Sequence, residues 1–166
     1  MIAVLWRLEL VGEPVPPADW EAVAERVLPH VGECAIPFNV AHYAYALRRA
    51  GAAAAVEGVR DAARSFAARQ TGQRAAAWQR VGVPLIEASI AAAGDQPAEA
   101  CAQLGPVVAE IGRVGGSDAQ DDLFRHAYLV ALLDSGQTSA ARALLRDTLE
   151  GRAPTPLEET WLRRTA

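Results

Sequence analysis

Along most of the chain, apolar residues recur three and four positions apart, the period of a helix buried on one side. Leu123, Phe124, Ala127, Val130 and Ala131 form one such stripe. β-Branched and aromatic residues never alternate over more than a few positions, and no Asn-Gly or Asp-Gly pair marks a hairpin turn. The pattern is all-α.

The helical segments also repeat. Gly12, Gly51, Gly94 and Gly136 fall 39, 43 and 42 residues apart, each after an apolar-periodic segment and before an alanine-rich one. This is the signature of a helix hairpin, in which glycine supplies a left-handed cap and small residues let the returning helix pack closely. First helices are predicted at about 2–11, 37–50, 82–93 and 118–135. Second helices are predicted at about 18–31, 52–70, 96–112 and 138–150, and a short last helix at about 156–165. Residues 71–81 read as an extended connection or an extra helical turn. The helix at 96–112 should kink at Gly105–Pro106, because proline lacks the N–H and its ring meets the carbonyl four residues back. Helix pairs at a period of about forty residues predict a solenoid. The expected fold is a right-handed α–α superhelix of tetratricopeptide type, one domain over 1–166. Its pairs are 2–31, 37–70, 82–112 and 118–150, with 156–165 as a cap.

Composition narrows the function. The chain has 166 residues, 51% of them hydrophobic, and its mean hydropathy is +0.06. That excludes a disordered tail and gives no membrane span. All 16 basic residues are arginine and alanine exceeds a fifth of the chain, a usage typical of a GC-rich bacterial genome. The net charge is −4 and the arginines are scattered, so no basic stripe offers itself to nucleic acid. Cys34 and Cys101 belong to no metal or redox spacing and read as reduced, buried thiols of a cytoplasmic protein. The N-terminal MIAVLWRLEL has neither a basic start nor a cleavage site.

The stretch GGSDAQDDLF at 115–124 invites a phosphate or metal reading, and a simpler one accounts for it. Gly115 and Gly116 end one helix, Ser117 caps the next, and Gln120 closes a capping box. Asp118, Asp121 and Asp122 stand where the helix dipole favours carboxylates. Three carboxylates would repel a phosphate. Asp118, Asp122 and His126 are the metal alternative, but Asp122 and His126 are also an ordinary i,i+4 pair. His30 reads as a helix C-terminal complement to the dipole. His42, one turn into its helix, is the histidine placed to act as a ligand or base. Trp6, Trp20 and Trp161 sit in apolar periodic contexts and read as core; Trp78 stands in a looser segment and reads as a recognition residue. No nucleophile lies in an elbow beside a base, so no Ser-His-Asp or Cys-His site is predicted. No cofactor and no metal are implied.

The stretches LWRLEL (5–10), IPFNVAHYAYAL (36–47), WQRVGVPLIEA (78–88) and IGRVGGSDAQDDLFRHAYLVALLDSGQTSAARALL (111–145) resemble the C-terminal half of the tetratricopeptide repeat protein 38-like family. The resemblance implies a helical-repeat fold whose biochemical role is poorly defined. It brings together two motifs, Phe38-Asn39-x-x-His42 and Gly115-Gly116-Ser117-x-Ala119-Gln120-x-Asp122, each opening the first helix of a pair. Such helices line the concave side of a solenoid. Family members carry a histidine where this chain has Asp118, an acid where it has Val40, and a histidine near Cys34.

The function expected from all this is a non-catalytic scaffold that binds a protein or peptide in its concave groove. Asn39, His42, Tyr43, Arg49, Trp78, Ser117, Gln120 and Asp122 are the candidate groove residues. The alternative is a small-molecule pocket or enzyme built from the helix starts at Asn39/His42 and Ser117/Gln120. The apolar 2–11 helix has no capping residue before it and reads as an open edge. A homodimer through the N-terminal helices is therefore expected, with Trp6, Leu8 and Leu10 at the edge.

Overall fold

The computed structural model describes residues 1–116 and 118–166, without the side chains of Asp118 and Ala119. Within those residues the chain forms ten α-helices and no strand. They are α1 (Ile2–Leu10), α2 (Pro17–Val27), α3 (Pro37–Arg49), α4 (Ala53–Arg69), α5 (Gly72–Ala77), α6 (Val83–Ala93), α7 (Pro97–Leu104), α8 (Asp118–Asp134), α9 (Thr138–Leu149) and α10 (Pro156–Arg163). No helix is long and apolar enough to cross a membrane, among the described residues.

The four hairpin turns share one hydrogen bond. Glu13, Ala52, Gln96 and Gln137 each donate their N–H to a carbonyl five residues back, on Leu8, Leu47, Ala91 and Leu132, at 2.8 to 3.0 Å. This closes the helix end through a residue of left-handed conformation, which glycine adopts without strain. Gly12, Gly51 and Gly136 hold that position, with φ of 87°, 73° and 75°. In the third turn the left-handed residue is Asp95, at φ 53°, and not Gly94. Gly94 instead lies against the end of Arg48, whose guanidinium is 2.9 Å from where a Cβ would stand.

One connection takes the second of its two expected forms, and another departs from expectation. Residues 72–81 are helical: α5 runs through a π turn, Trp78–Gly82, straight into α6. A π turn holds one residue more than an α turn, which keeps the helix continuous while shifting its face. At Gly105–Pro106 the chain does not kink and continue. α7 stops at Leu104, and a 3₁₀ segment, Val108–Val114, follows the turn.

Consecutive helices pack on one another, α2 on α3, α3 on α4, α6 on α7, α7 on α8 and α8 on α9. The most extensive contact is α3 against α6. Pro37 meets Gly82 at one end of it and Arg48 meets Gly94 at the other, so the two helices run in the same direction. Ala41, Ala44, Ala46 and Leu47 of α3 and Leu85 and Ala88 of α6 are wholly buried. Small side chains on both helices permit that close approach. One core cluster spans α1 to the first half of α8. A second joins Ala91 of α6 and Ala100 and Cys101 of α7 to the end of α8, α9 and α10, with Ala92 and Tyr128 packed against both. α1 packs against α3 and α8.

Candidate functional site

α1 borders two of the cavities of the fold. Trp6 lies stacked on Tyr45, ring centroids 3.7 Å apart, and meets Phe124 and His42 edge to face at 5.6 and 5.8 Å. At 1% exposure Trp6 is interior, not part of an edge. Its i,i+3 neighbour Glu9 accepts from Trp20 Nε1 (3.1 Å), Tyr45 Oη (2.6 Å), Arg49 Nε (2.9 Å) and Arg49 Nη2 (2.5 Å). One carboxylate thereby ties α1 to α2 and α3. Burial works against the Arg49 charge, but the bond to Glu9 and the attraction of the Glu9 and Asp95 carboxylates together outweigh it and hold the guanidinium pKa above its usual range. Burial and then Glu9 push the Tyr45 phenol far up, so it stays a donor.

The other faces of α1 are different. Met1, Val4, Leu8 and Val11 are 65%, 61%, 41% and 45% exposed, four of the six large apolar side chains left exposed among the described residues. Leu8, expected at an edge, belongs to this stripe; Leu10 is half-buried and lines a cavity.

A cavity lies at each end of α1. The larger, about 580 Å³, is bounded by Trp6, Glu9 and Leu10, the end of α3 with Tyr45 and Arg49, the α6–α7 turn, and α8. The smaller, about 330 Å³, lies under the first turn of α1, between α2 and the starts of α3 and α8. Asn39, His42, Tyr43 and Gln120 all line it, so four of the predicted groove residues come together. The remaining ones do not. Arg49, ten residues along α3 from Asn39, serves the larger cavity. Trp78 is a core residue, 2% exposed and packed on Phe66 at 4.8 Å. Its segment looked loose in the sequence, but the continuous α5–α6 helix turns the ring inward. Asp122 pairs with Arg125 at 3.8 Å and faces a separate small cavity beside His126, Glu158 and Trp161. Ser117, with the capping box predicted for it, lies outside the described residues.

His42 is the unusual group. It is 6% exposed, and its Nδ1 lies 2.8 Å from the Phe38 carbonyl oxygen one turn back. A carbonyl only accepts, so Nδ1 carries the hydrogen and Nε2 presents a lone pair. Nε2 is buried and has no partner. Leaving a buried acceptor unpaired costs about 1–3 kcal/mol. Burial first, then Arg7 and the N-terminal amine, lower the His42 pKa against the pull of the Phe38 bond, so the ring stays neutral near pH 7.

The other histidines are structural. His30 Nδ1 lies 2.9 Å from Glu33, in a 3₁₀ turn at the end of α2. His126 packs on Trp161 at 5.0 Å, and the partner of Asp122 is Arg125. No group of three His, Cys, Asp or Glu is placed to hold a metal, among the described residues. Cys34 and Cys101 are buried and free. In the GGSDAQDDLF stretch, Gly115 and Gly116 have φ of 93° and 120°. Asp121, 6% exposed, folds over this backbone; a Cβ on Gly116 would stand 2.8 Å from its Oδ1.

The sequence did hold one cap that was missed. Thr155 and Glu158 form a reciprocal capping box at the start of α10, and Arg152 clasps Glu158 at 2.6 and 2.9 Å. The spacing Thr-x-x-Glu was the available signal. No family model matches this chain, and no solved structure matches it.

Proposed function

We propose that this protein is a non-catalytic helical-repeat scaffold, a superhelix of tetratricopeptide type like the C-terminal half of the 38-like family, that binds polypeptide through the outer face of α1. The shared hydrogen bond of the four hairpin turns and the parallel run of α3 and α6 support the superhelix. The partner surface is moved relative to the sequence expectation. α1 packs on α3 and α8, on the wall where an open peptide groove was sought.

The observation that carries the reading is the stripe Met1, Val4, Leu8 and Val11, spaced three, four and three residues. That is the seam of a helix pair. It is also self-complementary. In an antiparallel two-fold pairing centred opposite Trp6, Met1 meets the Val11 position of the second copy and Val4 meets its Leu8 position. An isologous contact between two copies of this chain is the occupant that geometry favours.

Native mass spectrometry or light scattering tests it. The wild type should have twice the 17.6 kDa chain mass at micromolar concentration. The double variant Val4→Glu/Leu8→Glu should have the single mass, with unchanged helical circular dichroism. A wild type that stays monomeric well above micromolar concentration would overturn the homodimer.

A further inference from the structure

The smaller cavity has a property that a dimer face does not explain. His42 stands in its wall, nine-tenths buried, with Nδ1 committed to the Phe38 carbonyl and Nε2 unpartnered. Around it the walls are apolar, from Ile2 and Ala3 on α1 to Val23 and Val27 on α2. Exposed Asn39 and Gln120 stand at its edge. A volume of about 330 Å³ is at the low end of what small-molecule sites use.

We propose that this cavity binds a small neutral molecule with an apolar body and one hydroxyl or amide N–H, which donates to Nε2 of His42. The donor requirement follows from the tautomer: a lone pair needs a hydrogen, and an ether or ester of the same shape brings none. Neutrality follows from the surroundings. A carboxylate or phosphate offers the lone pair only further lone pairs. An ammonium would donate, but it would enter among apolar walls beside Arg26 on the rim and within the field of Arg7, which already disfavours positive charge on His42. The apolar walls retain the body of the ligand, and His42 selects its polar end. A site built to hydrogen-bond one group rejects the analogue that lacks it, because the buried acceptor is left unpaired.

The test uses the whole chain labelled with ¹⁵N, and benzyl alcohol, benzyl methyl ether and benzoate as probes. Benzyl alcohol should shift the Nε2 resonance of His42 toward the hydrogen-bonded position and bind about tenfold more tightly than the ether, the worth of one good hydrogen bond. Benzoate should bind more weakly than either. His42→Phe should bring the alcohol and the ether to the same affinity while retaining the helical spectrum. Equal affinities in the wild type would overturn the proposal. So would binding without movement of the His42 signal, or no binding at millimolar probe. A ligand-free Nε2 resonance that already reports a hydrogen bond, unmoved by the alcohol, would assign that lone pair to solvent and overturn it as well. Val4→Glu/Leu8→Glu should leave the alcohol preference in place, which separates this site from the dimer face.

Discussion

Tyr45 donates its hydroxyl to Glu9 across 36 residues of sequence, at 2.6 Å, while its ring carries Trp6 in a parallel stack at 3.7 Å. One side chain of α3 thus holds α1 by both a polar and an apolar contact. Both cavities border α1, so this pair governs them both.

Glu9→Ala would leave Trp20 Nε1, Tyr45 Oη and the Arg49 guanidinium without their common acceptor. The expected loss is about 3 kcal/mol of unfolding free energy, since removing one partner of a half-buried charge network leaves the others desolvated and unpaired. Urea titration checks the size. Limited proteolysis after α1 should accelerate in the same variant, because the helix loses its anchor to α2 and α3.

Acid should weaken the fold below pH 6.5 in proportion to histidine burial. His42 and His126 both have pKa values lowered from 6.5, desolvation being the first cause in each. A base whose folded pKa is depressed is fully compatible with the native state above the unfolded pKa. As pH falls through 6.5 the unfolded chain takes up the proton first, and stability declines. Phe38, Arg7 and the N-terminal amine act on His42, and Asp122, Arg7 and Glu158 on His126. Chemical denaturation at pH 7.5 and pH 5.5 should show the loss, and His42→Phe should reduce it.

A second acid transition belongs to α10. Arg152 first, then the Thr155 backbone and hydroxyl, bring the Glu158 pKa from 4.5 to about 2. A carboxylate with a depressed folded pKa contributes stability that is complete above pH 4.5 and is lost between there and about pH 2. Arg152 is half exposed, so the pair itself is screened by salt and adds little. The cap carries more. Glu158→Gln keeps part of the box and should cost about 0.5 kcal/mol, whereas Thr155→Ala should cost about 1 kcal/mol. Thermal melts at pH 7 would rank them.

Two glycines on the α3–α6 contact should respond differently to alanine. At Gly82 a Cβ would stand 2.9 Å from two atoms of the Pro37 ring, which has no rotamer to yield. Gly82→Ala should cost about 1–2 kcal/mol, the overlap exceeding the gain in helix propensity. At Gly94 the obstacle is the end of the flexible Arg48 side chain and φ is −95°. Gly94→Ala should fall within about 0.5 kcal/mol of wild type. Paired urea titrations decide both.

Helices and turns were legible because each rests on local chemistry. The glycines at 12, 51 and 136 mark left-handed caps, and proline at the start of α3 and α7 marks a first turn. Where two chemistries share a position the reading slipped. Gly94 reads as the third cap, yet it lies at φ −95° and Asp95 carries the left-handed φ. Trp78 stands in a segment that reads as loose, whereas a π turn keeps its helix continuous and buries the ring. The candidate site was half legible. Helix starts placed Asn39, His42, Tyr43 and Gln120 together, but no local signal shows that α1, tied to α2 through Glu9, also lies on α3 and α8. That is a property of packing at long range. It also turned Trp6 inward and brought Val4 and Val11 into the exposed stripe.

The divided core bears on how the molecule comes apart. Leu129, Leu132, Leu133, Ala141, Leu145 and Trp161 form a second cluster with Ala91 of α6 and Ala100 and Cys101 of α7, and Ala92 and Tyr128 pack against both clusters. α9 and α10 lie at the far end of this cluster, α9 packed on α8 and α10 on α9, and such a terminal pair opens with less loss of contact than the centre of the fold. Amide hydrogens of α9 and α10 should exchange through a sub-global opening, at a free energy below that of α3 and α6. Fluctuations at that end would then leave His42 and its surroundings ordered.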